Sequence, residues 1–162
     1  MKNKNGGFSL VEIIVIIAII SIVSVGGIVG VGSISGKNAE QAANKLKTTL
    51  ISDRTTSLGK YKTMLHLDTD GSGIVLQEAY YSTAGAADST KSIKICGDDV
   101  TVTKSTDGTT FEAIPTGGFD LEFDRSSGAL KSSASDVYIR FEKAHKTYTV
   151  LIYHLTGKVV VQ

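Results

Sequence analysis

The 162-residue chain is poor in the residues that build most catalytic and metal centres. It has one cysteine, Cys96, which excludes an intrachain disulfide and a cysteine-based zinc site. Cys96 alternates with Ile93 and Ile95 in SIKIC, the pattern of a small buried strand residue rather than of a reactive thiol. Tryptophan is absent, and Pro115 is the one proline. His66, His145 and His154 are scattered, with no H-E-x-x-H, no G-x-S-x-G and no phosphate-binding glycine loop. No catalytic set is left, so the chain is not expected to be an enzyme, and no cofactor is expected. An excess of one charge is missing too. The formal net charge is +1, so no overall field draws the chain to nucleic acid or anionic lipid.

The longest absence is of charge itself, from Ile13 to Gly36. Ile13 to Val31 is close to the length of about 20 helical residues that crosses a hydrocarbon core of roughly 30 Å. Lys2 and Lys4, in the leading MKNKNGG, place the N-terminus on the cytoplasmic side and everything after Lys37 outside the cytoplasm. Glu12 lies just inside the apolar run. A charged side chain near the bilayer centre costs about 2.5–3.5 kcal/mol. A secretory signal peptide has basic, apolar and small-residue regions in that order, and VGSISG could supply its cleavage site. The carboxylate and the length of the run argue against it. A plain anchor with Glu12 near the interface, or a segment that makes use of Glu12, are the other readings.

The stretch GFSLVEIIVIIAII resembles the N-terminal motif of type IV pilins and pseudopilins. The resemblance implies that residues 1–7 are a leader, that a prepilin peptidase cuts between Gly7 and Phe8, and that Phe8 is then N-methylated. Glu12 becomes the fifth residue of the mature chain and the assembly residue. Cutting creates an α-amino group that is mostly cationic at neutral pH. Glu12 lies four residues on, about one helical turn away. In apolar surroundings the carboxylate and a neighbouring subunit's Phe8 amine attract strongly, and an unpaired charge is costly, so the pair would fix axial register in a filament.

The resemblance also implies the partners: other pilin or pseudopilin subunits, the peptidase, an inner-membrane assembly platform and the cytoplasmic membrane. The protein would be a single-pass cytoplasmic membrane protein with an extracytoplasmic body, later a filament at the cell surface or in the periplasm. One departure stands out. Where the family often has a proline within this helix, the chain has Val29, flanked by Gly26, Gly27, Gly30, Gly32 and Gly36. The glycines either bend the helix or let small faces pack closely, as in G-x-x-x-G.

Beyond the apolar run the pattern becomes amphipathic. Ala39, Ala42, Ala43, Leu46, Leu50, Ile51 and Leu58 recur at three- and four-residue steps, with Lys37, Glu40, Lys45, Lys47 and Asp53 off that stripe or at its border. Gly59 is the expected stop. The period then changes to two. Phe119, Leu121 and Phe123 alternate with acids, and Val137, Ile139 and Phe141 alternate with Tyr138, Arg140 and Glu142. Further strands are expected at Tyr61–Leu67, Ile74–Tyr81, Ile93–Cys96 and Val100–Thr103, with YTVLIYHL and KVVVQ joined by a Thr156-Gly157 turn.

The expected fold is α+β: a long N-terminal helix packed on a mostly antiparallel sheet, the pilin-like architecture. Its helix divides into a transmembrane and assembly half, 8–32, and an amphipathic half, 33–59, before a β-rich domain at 60–162. YTVLIYHLTGKVVV and AANKLKTTLISDRTTS also resemble the H-type minor pseudopilins. A minor pseudopilin of a secretion or competence system is therefore expected. A major type IV pilin, or a minor pilin at the tip that binds DNA or a surface, is the alternative.

Two candidate sites lie in the body. In DTDGSG, Asp68, Asp70 and Ser72 fall on the first ligand positions of a calcium loop, but its twelfth position is Ala79 rather than Glu. A polar turn between strands is the plainer reading. Arg140, Lys143 and Lys146, with His145 nearby and Lys158 further on, are candidate phosphate contacts, because some minor pilins bind DNA. Glu142 among them suits a solvated face of mixed charge equally well.

Overall fold

The structure, a computed structural model, describes residues 10–59, 61–82 and 87–162, without the side chains of residues 10, 12, 18–36 and 59. It divides into two compact units, Met1–Ser35 and Gly36–Gln162, each treated by itself. The helix α1 (Leu10–Gly59) contributes to both and stops at the expected glycine.

In the second unit α1 accompanies two antiparallel sheets, and the fold is α+β. The first has four strands: β1 (Lys62–Thr69), β2 (Gly73–Tyr81), β3 (Ser89–Gly97) and, after two strands of the other sheet, β6 (Phe119–Glu122). Their order is β3-β2-β1-β6. The second has five, β4 (Thr101–Ser105), β5 (Glu112–Ala113), β7 (Val137–Lys143), β8 (Lys146–Ile152) and β9 (Val159–Val161), in the order β5-β4-β7-β8-β9. The single sheet expected from alternation is thus two. Alternation says which face of a strand is buried but not which strand lies beside it. β3 begins at Ser89, ahead of the expected Ile93, because its first four residues are exposed and polar and carry no apolar signal.

Local chemistry sets the hairpins. Lys143 faces Lys146 across a two-residue turn in which Ala144 and His145 have φ of 50° and 64°. Positive φ at both central residues matches the right-handed twist of paired strands. The final hairpin, β8 to β9, turns through Gly157, whose N–H donates to the Tyr153 carbonyl at 2.7 Å.

Packing follows the two periodicities. Ala39, Ala42, Ala43, Leu46 and Leu50 are buried from α1. They share one core with Leu65, Leu67, Leu76 and Leu121 of the first sheet and Val137, Ile139, Phe141, Val150 and Ile152 of the second. Leu46 has no exposed surface. Leu46→Ala is expected to cost about 2–5 kcal/mol, measurable by urea unfolding, because the surrounding sheets can close only partly on the space left.

Beyond Leu50 the buried stripe departs from expectation. Ile51 and Leu58 are 43% and 42% exposed, whereas Asp53 and Ser57 are each 1% exposed. The helical period continues unbroken through 46, 50, 53 and 57. The residue type changes from apolar to polar, and the nearest apolar residues are left facing water.

Candidate functional site

The candidate cleavage pair, Gly7 and Phe8, lies outside the described residues. Glu12 lies within α1, with its side chain outside them. What is described around it is a continuous turn and more of large aliphatic side chains in the open. Val11 is 67% exposed and Ile14 57%, and Ile13, Val15 and Ile16 are exposed as well. Soluble surfaces rarely carry contiguous apolar area of this kind, so the segment calls for an apolar partner. Among the described residues no helix is long and apolar enough to cross a membrane. Most of the uncharged run falls at 18–36, whose side chains are not among them.

In the body, the DTDGSG stretch forms the β1–β2 turn. Asp68 Oδ1 accepts from the Thr69 N–H at 2.7 Å. Asp70 Oδ1 accepts from the Ser72 N–H at 2.8 Å and the Ser72 hydroxyl at 2.9 Å, which hold the Asp70 carboxyl below its ordinary range. The Lys94 ammonium donates to Ser72 Oγ at 2.8 Å. The candidate cation ligands therefore serve their own turn, with a lysine already beside the third. Among the described residues no group of three or more His, Cys, Asp or Glu side chains could hold a metal ion.

The four candidate phosphate contacts do not form one patch. Arg140 points to the face of β7 opposite the core, where its guanidinium stacks 3.4 Å from the centre of the Phe111 ring. Lys143 pairs with Asp99, and this ion pair, ahead of the Asn38 amide at 2.9 Å, holds the Asp99 carboxyl below its ordinary range. Lys146 sits at the β7–β8 turn, while Lys158 adjoins the β8–β9 turn. These turns are at opposite ends of β8, roughly 20 Å apart at about 3.4 Å per residue. Lys143 and Lys146 face each other at one turn, but alternation turns Arg140 away from the core and strand reversal leaves Lys158 at the other end of β8. Cys96 is buried, which pushes its thiol pKa up and keeps it from reactivity.

The structure adds a group that the sequence pattern hid. Inward positions of β2 alternate as Ile74, Leu76, Glu78 and Tyr80, and those of β1 as Thr63, Leu65 and Leu67. The sheet's inner face is thus apolar at one end and polar at the other. The polar end lies against the polar end of the α1 stripe. The Tyr80 hydroxyl lies 3.1 Å from Asp53 Oδ1 and 3.0 Å from Glu78 Oε2. Ser57 Oγ is hydrogen-bonded to Thr63 Oγ1. Asp53 Oδ2 is buried without a hydrogen-bond partner. Burial first, and then the charge of Glu78, pushes the Asp53 pKa from 3.8 up to about 7. Burial, followed by the charge of Asp53, also raises that of Tyr80.

Residues 2–28 match the prokaryotic N-terminal methylation motif. No curated protein and no solved structure matches the chain.

Proposed function

Because residues 2–28 carry the prokaryotic N-terminal methylation motif, we propose that the chain is a pilin-like subunit. It would be cut between Gly7 and Phe8, methylated on Phe8, and assembled into a type IV pilus or pseudopilus through its N-terminal helix. The spacing of Gly7, Phe8 and Glu12 ahead of an uncharged run carries this reading, and the exposed aliphatics from Val11 to Ile16 support it. Before assembly those side chains would lie in the cytoplasmic membrane. Afterwards they would lie among the helices of neighbouring subunits, so burial is kept as the chain moves from lipid to filament. The body at 36–162 would stand outside the cytoplasm, and the role is structural rather than enzymatic.

Within that reading we assign the chain to the minor pseudopilins. The C-terminal hairpin with its Thr156-Gly157 turn is the feature that supports this over a major pilin. The separation of Lys143 and Lys146 from Lys158 gives no support to a DNA-binding tip subunit.

The test is mass spectrometry of filaments purified from the native host. A chain beginning at N-methylated Phe8 and present at one copy per many subunits is the expected result. A dominant band would make it the major pilin. A chain retaining Met1 to Gly7 in filaments would overturn the processing assignment.

A further inference from the structure

The buried polar seam at the end of α1 is out of keeping with a helix held by apolar packing. Up to Leu50 the buried positions of this helix are Ala and Leu, yet beyond it Asp53 comes against Glu78, a second carboxyl only 3% exposed. Two ionised carboxylates in such a place repel each other and lose their hydration, so both cannot be charged at modest cost. The atoms show how this is resolved. Tyr80 has one hydroxyl proton and two carboxylate oxygens within 3.1 Å, so it can donate to only one of them. Asp53 Oδ2 is buried with no hydrogen-bond partner, and the Glu78 carboxyl stands on the other side of the same Tyr80 hydroxyl. A proton between the two carboxyls supplies the missing donor.

We propose that Asp53 and Glu78 share one proton between the last turns of α1 and the four-stranded sheet, and that losing it loosens the helix end from the sheet. The surrounding charges bear this out. Lys91, across from Glu78 on β3, is the cation of the seam, and its ammonium lies 3.8 Å from Glu78 Oε2. Lys91 is exposed and can offset one negative charge, not two. β1 contributes Thr63 and Leu65 to this place, neither of them titratable. Among the described residues the pair therefore rests at one net negative charge against one lysine, with no second cation paired to it.

The direction of the pH dependence follows. Asp53 titrates near 3.8 when unfolded and at about 7 when folded, so the folded chain binds the extra proton between those values. Stability from the seam is fully present below about pH 4 and is lost as pH rises to about 7. The unfolding constant would rise by up to roughly tenfold per pH unit in that window. Asp70, Asp88, Asp99, Asp107, Asp124 and Asp136 are held below the ordinary carboxylate range, so their contribution, of opposite sign, changes at and below the unfolded value of 3.8, at the foot of the window. The His66–Asp120 and His154–Asp136 pairs are common to wild type and variants and cancel in the difference.

The experiment is urea unfolding of the full chain in detergent micelles, followed by tyrosine fluorescence from pH 4.5 to 8, for wild type, Asp53→Asn and Glu78→Gln. Wild type is expected to lose stability as pH rises. Asp53→Asn should lose that slope and be at least as stable as wild type at pH 8. A variant weaker by the same factor at every pH would overturn the proposal, since an ordinary buried hydrogen bond would behave so. If neither variant folds, the carboxyl carbon resonances of the wild-type chain decide. One coupled pair titrating near pH 7 supports the shared proton, and all carboxyls titrating below pH 5 overturns it. Stabilisation of wild type by calcium alone at pH 8, absent from Asp53→Asn, would also overturn it, since the carboxyls would then hold a metal ion instead.

Discussion

Replacing Glu12 with Ala is expected to leave membrane insertion and cleavage after Gly7 intact while reducing incorporation into filaments by about two orders of magnitude. Insertion should if anything be favoured, because a carboxylate is removed from an apolar run. On the proposed processing, assembly should fail because the cut would create the α-amino group of Phe8, and in a filament of packed helices that amine would then have no anion. Breaking a buried pair by removing one partner costs about 3–5 kcal/mol, more than a hundredfold in an equilibrium. Glu12→Gln keeps the shape and loses the charge, so it should fail almost as badly. Immunoblots of membranes and sheared filaments from cells expressing each variant measure the two steps separately. Wild-type levels of Glu12→Ala in filaments would end the register role.

The second large effect is expected at Gly157. Its φ of 63° disfavours any side chain, and a methyl group there would run into the Gly128 carbonyl oxygen and lie 2.9 Å from Arg54 Nε. That place is a clasp. Arg54 Nε donates to the Gly128 carbonyl at 3.1 Å and to the Thr156 carbonyl at 3.2 Å, and its Nη2 donates to Thr156 at 2.9 Å. Gly157→Ala must push the two loops apart and with them break hydrogen bonds from a charged donor. The sum of backbone strain and lost bonds is about 3 kcal/mol or more. For a chain of this size that is a fall of roughly 10 °C in melting temperature. Gly71→Ala is the control. It has φ of 78° but nothing within 4 Å of the added methyl, so it carries the strain alone and should cost about 1–2 kcal/mol. Equal losses at the two positions would show that the clasp contributes nothing.

Different parts of the molecule were legible to different depths, for physical reasons. The stripe from Ala39 to Leu50 and the inward rows Val137, Ile139 and Phe141 are read directly from period and residue type, and they lie in the core as expected. Asp53 and Ser57 keep the same helical period. Their polarity hid them, because a polar residue is buried only where a partner waits, and the partners Tyr80 and Thr63 come from strands that the local sequence does not point to. Sheet pairing was illegible for the same reason. β5 has only two residues and the head of β3 is polar, so neither carries a pattern. The candidate processing site is the opposite case. Gly7, Phe8 and Glu12 are set by spacing along the chain alone, to be recognised in extended or single-helix form. Residues 2–28 therefore match a motif, while the body, whose meaning lies in its tertiary contacts, matches no curated protein and no solved structure.

The Arg54 clasp also has a bearing on how the protein is made. Arg54 reaches across 102 residues to Thr156, in the turn between β8 and β9. Gln162 itself exchanges two hydrogen bonds of 2.9 Å with Thr149. The end of the helix is synthesised early, but it cannot be locked until the last strand has emerged. Contacts of such long sequence separation form late and slowly. Closure of the helix end onto the body therefore waits for β8 and β9.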